Sequence, residues 1–177
     1  MNQIDSILAS LGIPPDAIAS RSLVLHPEAA ELVVAEIGEH GREHLLVPAA
    51  ARAWGSLREA AQADRVVISI VSAFRSVEHQ AEIVRAKLAR GLSIDEILSV
   101  SAPPGYSEHH TGRAVDLTTD GVRPLELEFE GSAAFAWLSR HAERFGFVLS
   151  YPRQNRYGYL YEPWHWCFRA QSAVTSR

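Results

Sequence analysis

The sequence predicts an α+β fold: a small, mostly antiparallel sheet with helices packed around it in a single domain. Three observations lead there. Apolar spacings of the helical and strand kinds are intermixed along the chain rather than segregated. No regular βαβ repeat and no glycine-rich nucleotide loop organises them into a parallel sheet. The chain has 177 residues, 47% hydrophobic and 21% charged, which suits one globular domain. A chain of that size buries roughly 68–70% of its unfolded surface and needs no staples to fold.

The elements follow in order. Residues 1–12 place Ile4, Ile7, Leu8 and Leu11 at helical spacing, with Gly12 as a stop. Residues 45–65 read as a strand end running into an alanine-rich helix. The β-branched run 65–74 lacks alternation and predicts a strand buried on both faces. A helix follows between the N-cap candidate Ser76 and Gly91. Ser93 and Glu96 form a capping box that opens a further short helix. Pro103, Pro104 and Gly105 then break the chain. Residues 114–119 are strand-like. Residues 124–130 alternate Leu125, Leu127 and Phe129 with glutamates, which predicts a half-exposed strand whose acids are solvated. Residues 132–146 read as a helix ended by Gly146, with closing strands at 147–151 and 157–168.

Composition excludes several classes of function. The net charge is −4 and no basic stripe occurs, so nucleic acid is not expected as a partner. One cysteine, Cys167, allows neither an internal disulfide nor a zinc site built from several thiolates. Any metal must be held by histidine and carboxylate. No apolar run approaches the roughly 18 residues of a membrane span. The first residues lack a basic n-region, carry Asp5 and reach Pro14 early, so no secretory signal is expected. As written, the chain is expected in the cytoplasm; a trimmed leader would place it in the periplasm or outside the cell.

Two short stretches carry the chemistry. In SEHHTGRAVD, 107–116, a strand from 113 would point Ala114 and Asp116 to one face and Val115 and Leu117 to the other. His109 precedes that strand, and Gly112 allows a sharp turn between them. An imidazole and a carboxylate then converge as zinc requires, although a surface hydrogen-bonding pair has the same spelling. His110 should face away from whatever His109 faces. In EPWHW, 162–166, Pro163 favours an irregular turn that can bring Glu162 and His165 to one cavity. His165 would be a third ligand, and Glu162 would sit beside the attacking water rather than on the metal. The flanking Trp164 and Trp166 also allow an aromatic core strand here. Arg75, at the end of the predicted strand 65–74, is placed either for a developing negative charge or for a surface salt bridge.

Taken together, S-x-H-x-x-G-x-A-x-D and E-P-W-H resemble the signature of the zinc D-alanyl-D-alanine carboxypeptidases and dipeptidases of the VanY and VanX type. That group shares a metal-site fold with lysostaphin-like endopeptidases and the hedgehog signalling domain. Ser107, His109, Gly112, Ala114 and Asp116 match every fixed position of the first motif. The resemblance covers about 65–168, with 1–64 expected as a helical and strand-containing part of the same domain, 1–177. It implies one zinc per chain held by His109, Asp116 and His165, with Glu162 as base. It also implies Arg75 as stabiliser of the carbonyl oxygen, and Gln80, Ser107 and Tyr151 as substrate-binding residues. The implied partner is a peptidoglycan peptide or precursor, cleaved at its terminal D-alanine. L,D-carboxypeptidase, dipeptidase and endopeptidase activities are the alternatives, as is a zinc-stabilised binding module without turnover. Glu162 argues against the module, because a purely structural site has no use for a poised base. The chain departs from the pattern at Ser150, where LRYP is common, and at Cys167 and Phe168, where arginine and tyrosine are common.

Overall fold

The computed structural model describes residues 2–169. Near its start, α1 (Gln3–Ser10) is closed by a capping box between Asn2 and Asp5, and α2 (Pro15–Ala19) follows. Strands β1 (Val33–Ile37) and β2 (Glu43–Leu46) form an antiparallel hairpin. Helix α3 (Pro48–Ala63) starts with proline at its first position, where no N–H is needed. Its residues Ala50, Trp54, Leu57 and Ala61 lie at helical spacing and are fully buried. Each large apolar side chain removed from water in this way stabilises the fold by roughly 1.5–3 kcal/mol.

The central sheet comprises β3 (Ser69–Ser72), β4 (Ala114–Thr118), β5 (Phe147–Leu149) and β6 (His165–Phe168). Its strand order is β3-β4-β6-β5, and every pairing is antiparallel. Val115, Leu117 and Trp166 point from the two central strands into the core, with Trp54, Leu57, Trp137 and Phe147. The alternate residues of the same strands, Asp116 and His165, must therefore face the other way. A second cluster joins Ile7, Leu8 and Leu11 to α4 (Val77–Ala89) and α5 (Ile94–Val100). Ser76 and Ser93 cap these two helices, the latter through the capping box with Glu96. Helix α6 (Ala133–His141) runs into a 3₁₀ turn ended by Gly146 at φ +80°. No helix among the described residues is long and apolar enough to cross a membrane.

Several sequence expectations need correction. The run 65–74 yields a strand of only four residues at the edge of the sheet. Within it Ile70 is buried while Ser69, Val71 and Ser72 are only partly so, and Val67 just ahead of it is 51% exposed, so the run is not buried on both faces. Residues 124–130 are not a strand: Leu127–Gly131 is a 3₁₀ helix, and Leu125 has φ +60°. Of the three alternating apolar residues only Phe129 is buried, and the segment finds no strand to pair with. The closing strand is confined to 165–168, because Pro163 and Trp164 form a turn ahead of it. Of the β1–β2 hairpin only the end of β2, at residues 45–46, was expected; β1 and its pairing were not. Residues 170–177 of the single-domain reading lie outside the described residues.

Candidate metal centre

Asp116 on β4 is the cross-strand partner of His165 on β6. Its Oδ1 lies 3.0 Å from His165 Nδ1, and its Oδ2 lies 3.2 Å from His109 Nε2. His109 sits in the 3₁₀ turn Glu108–Thr111, capped by the Ser107 side chain. Gly112 ends that turn at φ +61° and starts β4; a Cβ there would also meet Leu32 Cδ2 at 2.8 Å. Both conditions favour glycine. The two imidazole rings stand 5.0 Å apart at 82°.

One ligand atom from each of His109, Asp116 and His165 lies within 4.8 Å of the others. Zinc with bonds of about 2.0–2.2 Å in tetrahedral geometry spaces its ligands ~3.3 Å apart, close to the contacts above. The outward nitrogens are committed elsewhere. His109 Nδ1 lies 2.7 Å from the Ala73 carbonyl oxygen, and His165 Nε2 lies 3.1 Å from Glu108 Oε2. A nitrogen that donates outward leaves its partner's lone pair facing Asp116, which is the state a metal requires. The donor set therefore fits zinc.

Glu162 approaches from the turn before β6, with Oε2 3.9 Å from His165 Nδ1. The hydrogen bond from His165 N–H to the Glu162 carbonyl, at 3.2 Å, is the kink expected from Pro163. Arg75 follows β3, and its Nη2 is 3.8 Å from Asp116 Oδ2. It donates through Nη1 to Gln80 Oε1 at 2.8 Å and through Nη2 to Ser72 Oγ at 2.9 Å. Gln80 in turn donates to the Ala102 carbonyl at 2.7 Å, so its amide is engaged at both ends within the protein. Tyr151 stacks on the His165 ring at 4.4 Å and 24°. All eight residues singled out in the sequence line one cleft of ≈ 610 Å³.

His110 belongs elsewhere. It is fully buried, with Nδ1 2.6 Å from the Arg75 carbonyl oxygen and Nε2 accepting from Gly105 N–H at 3.1 Å. These contacts tie the loop ahead of the motif to the end of β3.

The charges follow from burial and pairing. Burial would raise the Asp116 carboxyl, but the charges and hydrogen bonds of His109 and His165 hold it far below the carboxylate range. Burial would lower His165, yet hydrogen bonds to Asp116 and Glu108 push it up to about 10. Burial lowers His109. Glu162 is pushed up to about 7, chiefly by burial and against the charge of His165. That value suits a group that takes and returns protons near neutrality.

Sequence reasoning missed Glu108, Lys87 and Arg169. Glu108 is buried, and its Oε1 takes a 2.5 Å hydrogen bond from Arg169 Nη2. The available signal was an acid inside a motif otherwise made of ligands and small residues. Lys87, the only lysine, lines the cleft with Nζ donating to Ser101 Oγ.

The family model for VanY, D-alanyl-D-alanine carboxypeptidase, matches residues 43–171. The chain belongs to the VanY family. The match begins at residue 43, ahead of the stretch from 65 that the motifs mark. The chain is 33% identical over 129 residues to a D-alanyl-D-alanine carboxypeptidase of Enterococcus faecalis, covering 67% of this chain and 46% of that protein. It thus spans about half the length of that relative. Among solved structures it is similar to the LdcB LD-carboxypeptidase, described in terms of peptidoglycan recognition. The TM-score is 0.70 at 27% identity, over 80% of this chain and 69% of that one. It is also similar to the VanY D,D-pentapeptidase of the VanB-type vancomycin-resistance cassette. A mutant of that protein in complex with Zn(II) gives a TM-score of 0.61 at 30% identity, over 82% of this chain and 85% of that one. Its complex with D-alanine-D-alanine gives 0.63 at 29% identity, over 82% and 81%.

Proposed function

We propose that this VanY-family chain is a zinc-dependent carboxypeptidase that removes the terminal D-alanine from a peptidoglycan-type peptide. The observation that carries the reading is one cleft holding His109, Asp116 and His165 within ligand distance of each other, with Glu162 and Arg75 beside them. The Zn(II) and D-alanine-D-alanine complexes of the VanY relative support it. In this reading one zinc per chain is held by His109, Asp116 and His165. Bound zinc would polarise the scissile carbonyl and lower the pKa of a water to ≈ 7.

The rest falls to the protein's own residues. Glu162, held near neutrality by burial, takes a proton from the attacking water as its oxygen bonds to the carbonyl carbon. It passes that proton to the departing amine nitrogen as the C–N bond breaks. Arg75 keeps three of its five N–H groups free of the bonds to Gln80 and Ser72, and these meet the negative charge that develops on the carbonyl oxygen. Gln80, both ends of whose amide are used, acts here mainly by aiming Arg75. Ser107 accepts from His109 N–H and keeps its own hydroxyl proton for the peptide terminus. Tyr151 restrains His165 by stacking and walls the cleft.

The test is incubation of the purified, zinc-loaded chain with muropeptides, read by mass spectrometry. Loss of one alanine from a pentapeptide ending in D-alanyl-D-alanine supports the reading, and no loss from any muropeptide defeats it. A second reading is favoured by the likeness to an LD-carboxypeptidase at a TM-score of 0.70: loss of the single D-alanine from a tetrapeptide. The same panel separates the two.

A further inference from the structure

Glu108 is not among the residues that line the cleft, and it is one of the most buried acids among the described residues. Its Oε2 faces His165 Nε2 at 3.1 Å, and its Oε1 faces Arg169 Nη2 at 2.5 Å. Ser150 and Cys167, two of the departures from the VanY-like pattern, both stand beside this carboxylate. The Ser150 hydroxyl is buried without a well-formed hydrogen bond among the described residues. The Cys167 thiol offers only a weak donor. Among the described residues, Arg169 is the only arginine or lysine in an ion pair with Glu108.

A buried carboxylate left without a cation is costly, and a carboxylate free to rotate orients nothing. Arg169 answers both problems from the chain just beyond β6, with its side chain 52% exposed. We propose that Glu108 and Arg169 form a positioning pair for His165. Arg169 fixes and neutralises the Glu108 carboxylate. Glu108 accepts the Nε2–H of His165, which keeps the Nδ1 lone pair turned toward Asp116. The inference rests on the zinc-site reading and adds the residues that set how tightly the site takes its metal.

The experiment is zinc affinity, measured by competition with a chromophoric chelator, for wild type, Glu108→Gln, Arg169→Ala, Arg169→Lys and the Glu108→Gln/Arg169→Ala double variant. Unfolding of each metal-free protein is followed in parallel. Glu108→Gln should weaken zinc binding 10–100-fold, the usual worth of such an outer carboxylate. Arg169→Ala should weaken it by less, Arg169→Lys should recover part of that loss, and the double variant should bind no worse than Glu108→Gln alone. Arg169→Ala leaves the buried Glu108 carboxylate without its arginine, so the parallel unfolding measurement separates a lost fold from a lost affinity, and Arg169→Lys keeps a cation beside it. Wild-type zinc affinity in Arg169→Ala, or losses that simply multiply in the double variant, would overturn the pair. If wild type takes up no zinc, the site reading fails and this inference with it. Tight zinc binding indifferent to both substitutions defeats the inference alone.

Discussion

Asp116 and His165 are direct partners across β4 and β6, and their side chains meet at 3.0 Å on the face opposite the core. The same sheet that packs Val115 and Trp166 inward therefore sets the spacing of two candidate ligands. Strand pairing is more rigid than a loop, and a site built on it varies little in geometry.

Glu162→Gln separates a catalyst from a binding module. The change keeps size and shape but removes the basic lone pair. Turnover should fall by roughly 10²–10⁴, while zinc content and peptide affinity are retained. Loss of zinc on this substitution would make Glu162 a fourth ligand and close the site.

His109→Ala, Asp116→Ala and His165→Ala should each lower zinc occupancy, measured by elemental analysis after dialysis. His110→Ala should behave differently. Zinc stoichiometry should be unchanged, but the Arg75 carbonyl and Gly105 N–H lose a buried partner. Thermal or urea unfolding should then show a loss of about 1–3 kcal/mol.

The metal-free site should hold an extra proton. His165 is raised from 6.5 to about 10 by Asp116 and Glu108 against the effect of burial, so it is an imidazolium at pH 8. Zinc needs it neutral. Binding at pH 8 should therefore release about one proton per zinc, detectable by calorimetry in buffers of different ionisation enthalpy. Affinity should rise about tenfold per pH unit until the pH nears 10. The sign for stability is opposite. A raised folded pKa supports the metal-free fold fully below pH 6.5, and that support is lost as pH rises through about 10. Urea unfolding with chelator present should show the decline.

Arg75→Lys tests the planar donor fork. A lysine ammonium cannot reach Gln80, Ser72 and a developing oxyanion together. Zinc content should stay normal while kcat/KM falls. Full activity in Arg75→Ala would remove the residue from the mechanism.

Much of this was legible in the sequence, and the exceptions share a cause. The capping box at Ser93, the kink at Pro163 and the face of Asp116 are local consequences of residue type and spacing, and each is present in the structure. Leu125 and Leu127 misled because a period-two pattern has no meaning without a strand to pair with; both residues sit at the mouth of the cleft. The edge position of β3 depends on which strands lie beside it, which residues 65–74 do not record. Glu108 and Arg169 are 61 residues apart and meet only through tertiary structure. Gln80 could be placed at the site from the motif, but its hold on Arg75 could not be read without coordinates.

Asp116 and His165 are separated by 49 residues and come together only when β6 docks beside β4. A nascent or partly unfolded chain therefore has no metal pocket to fill. The core on the other face, with Val115, Leu117 and Trp166, does not involve the ligands and can form before any ion arrives. On the zinc reading, the ion would join a finished scaffold instead of nucleating one. Such a protein would take up its ion only once folded, and stripping the ion should leave a standing fold that can be reloaded.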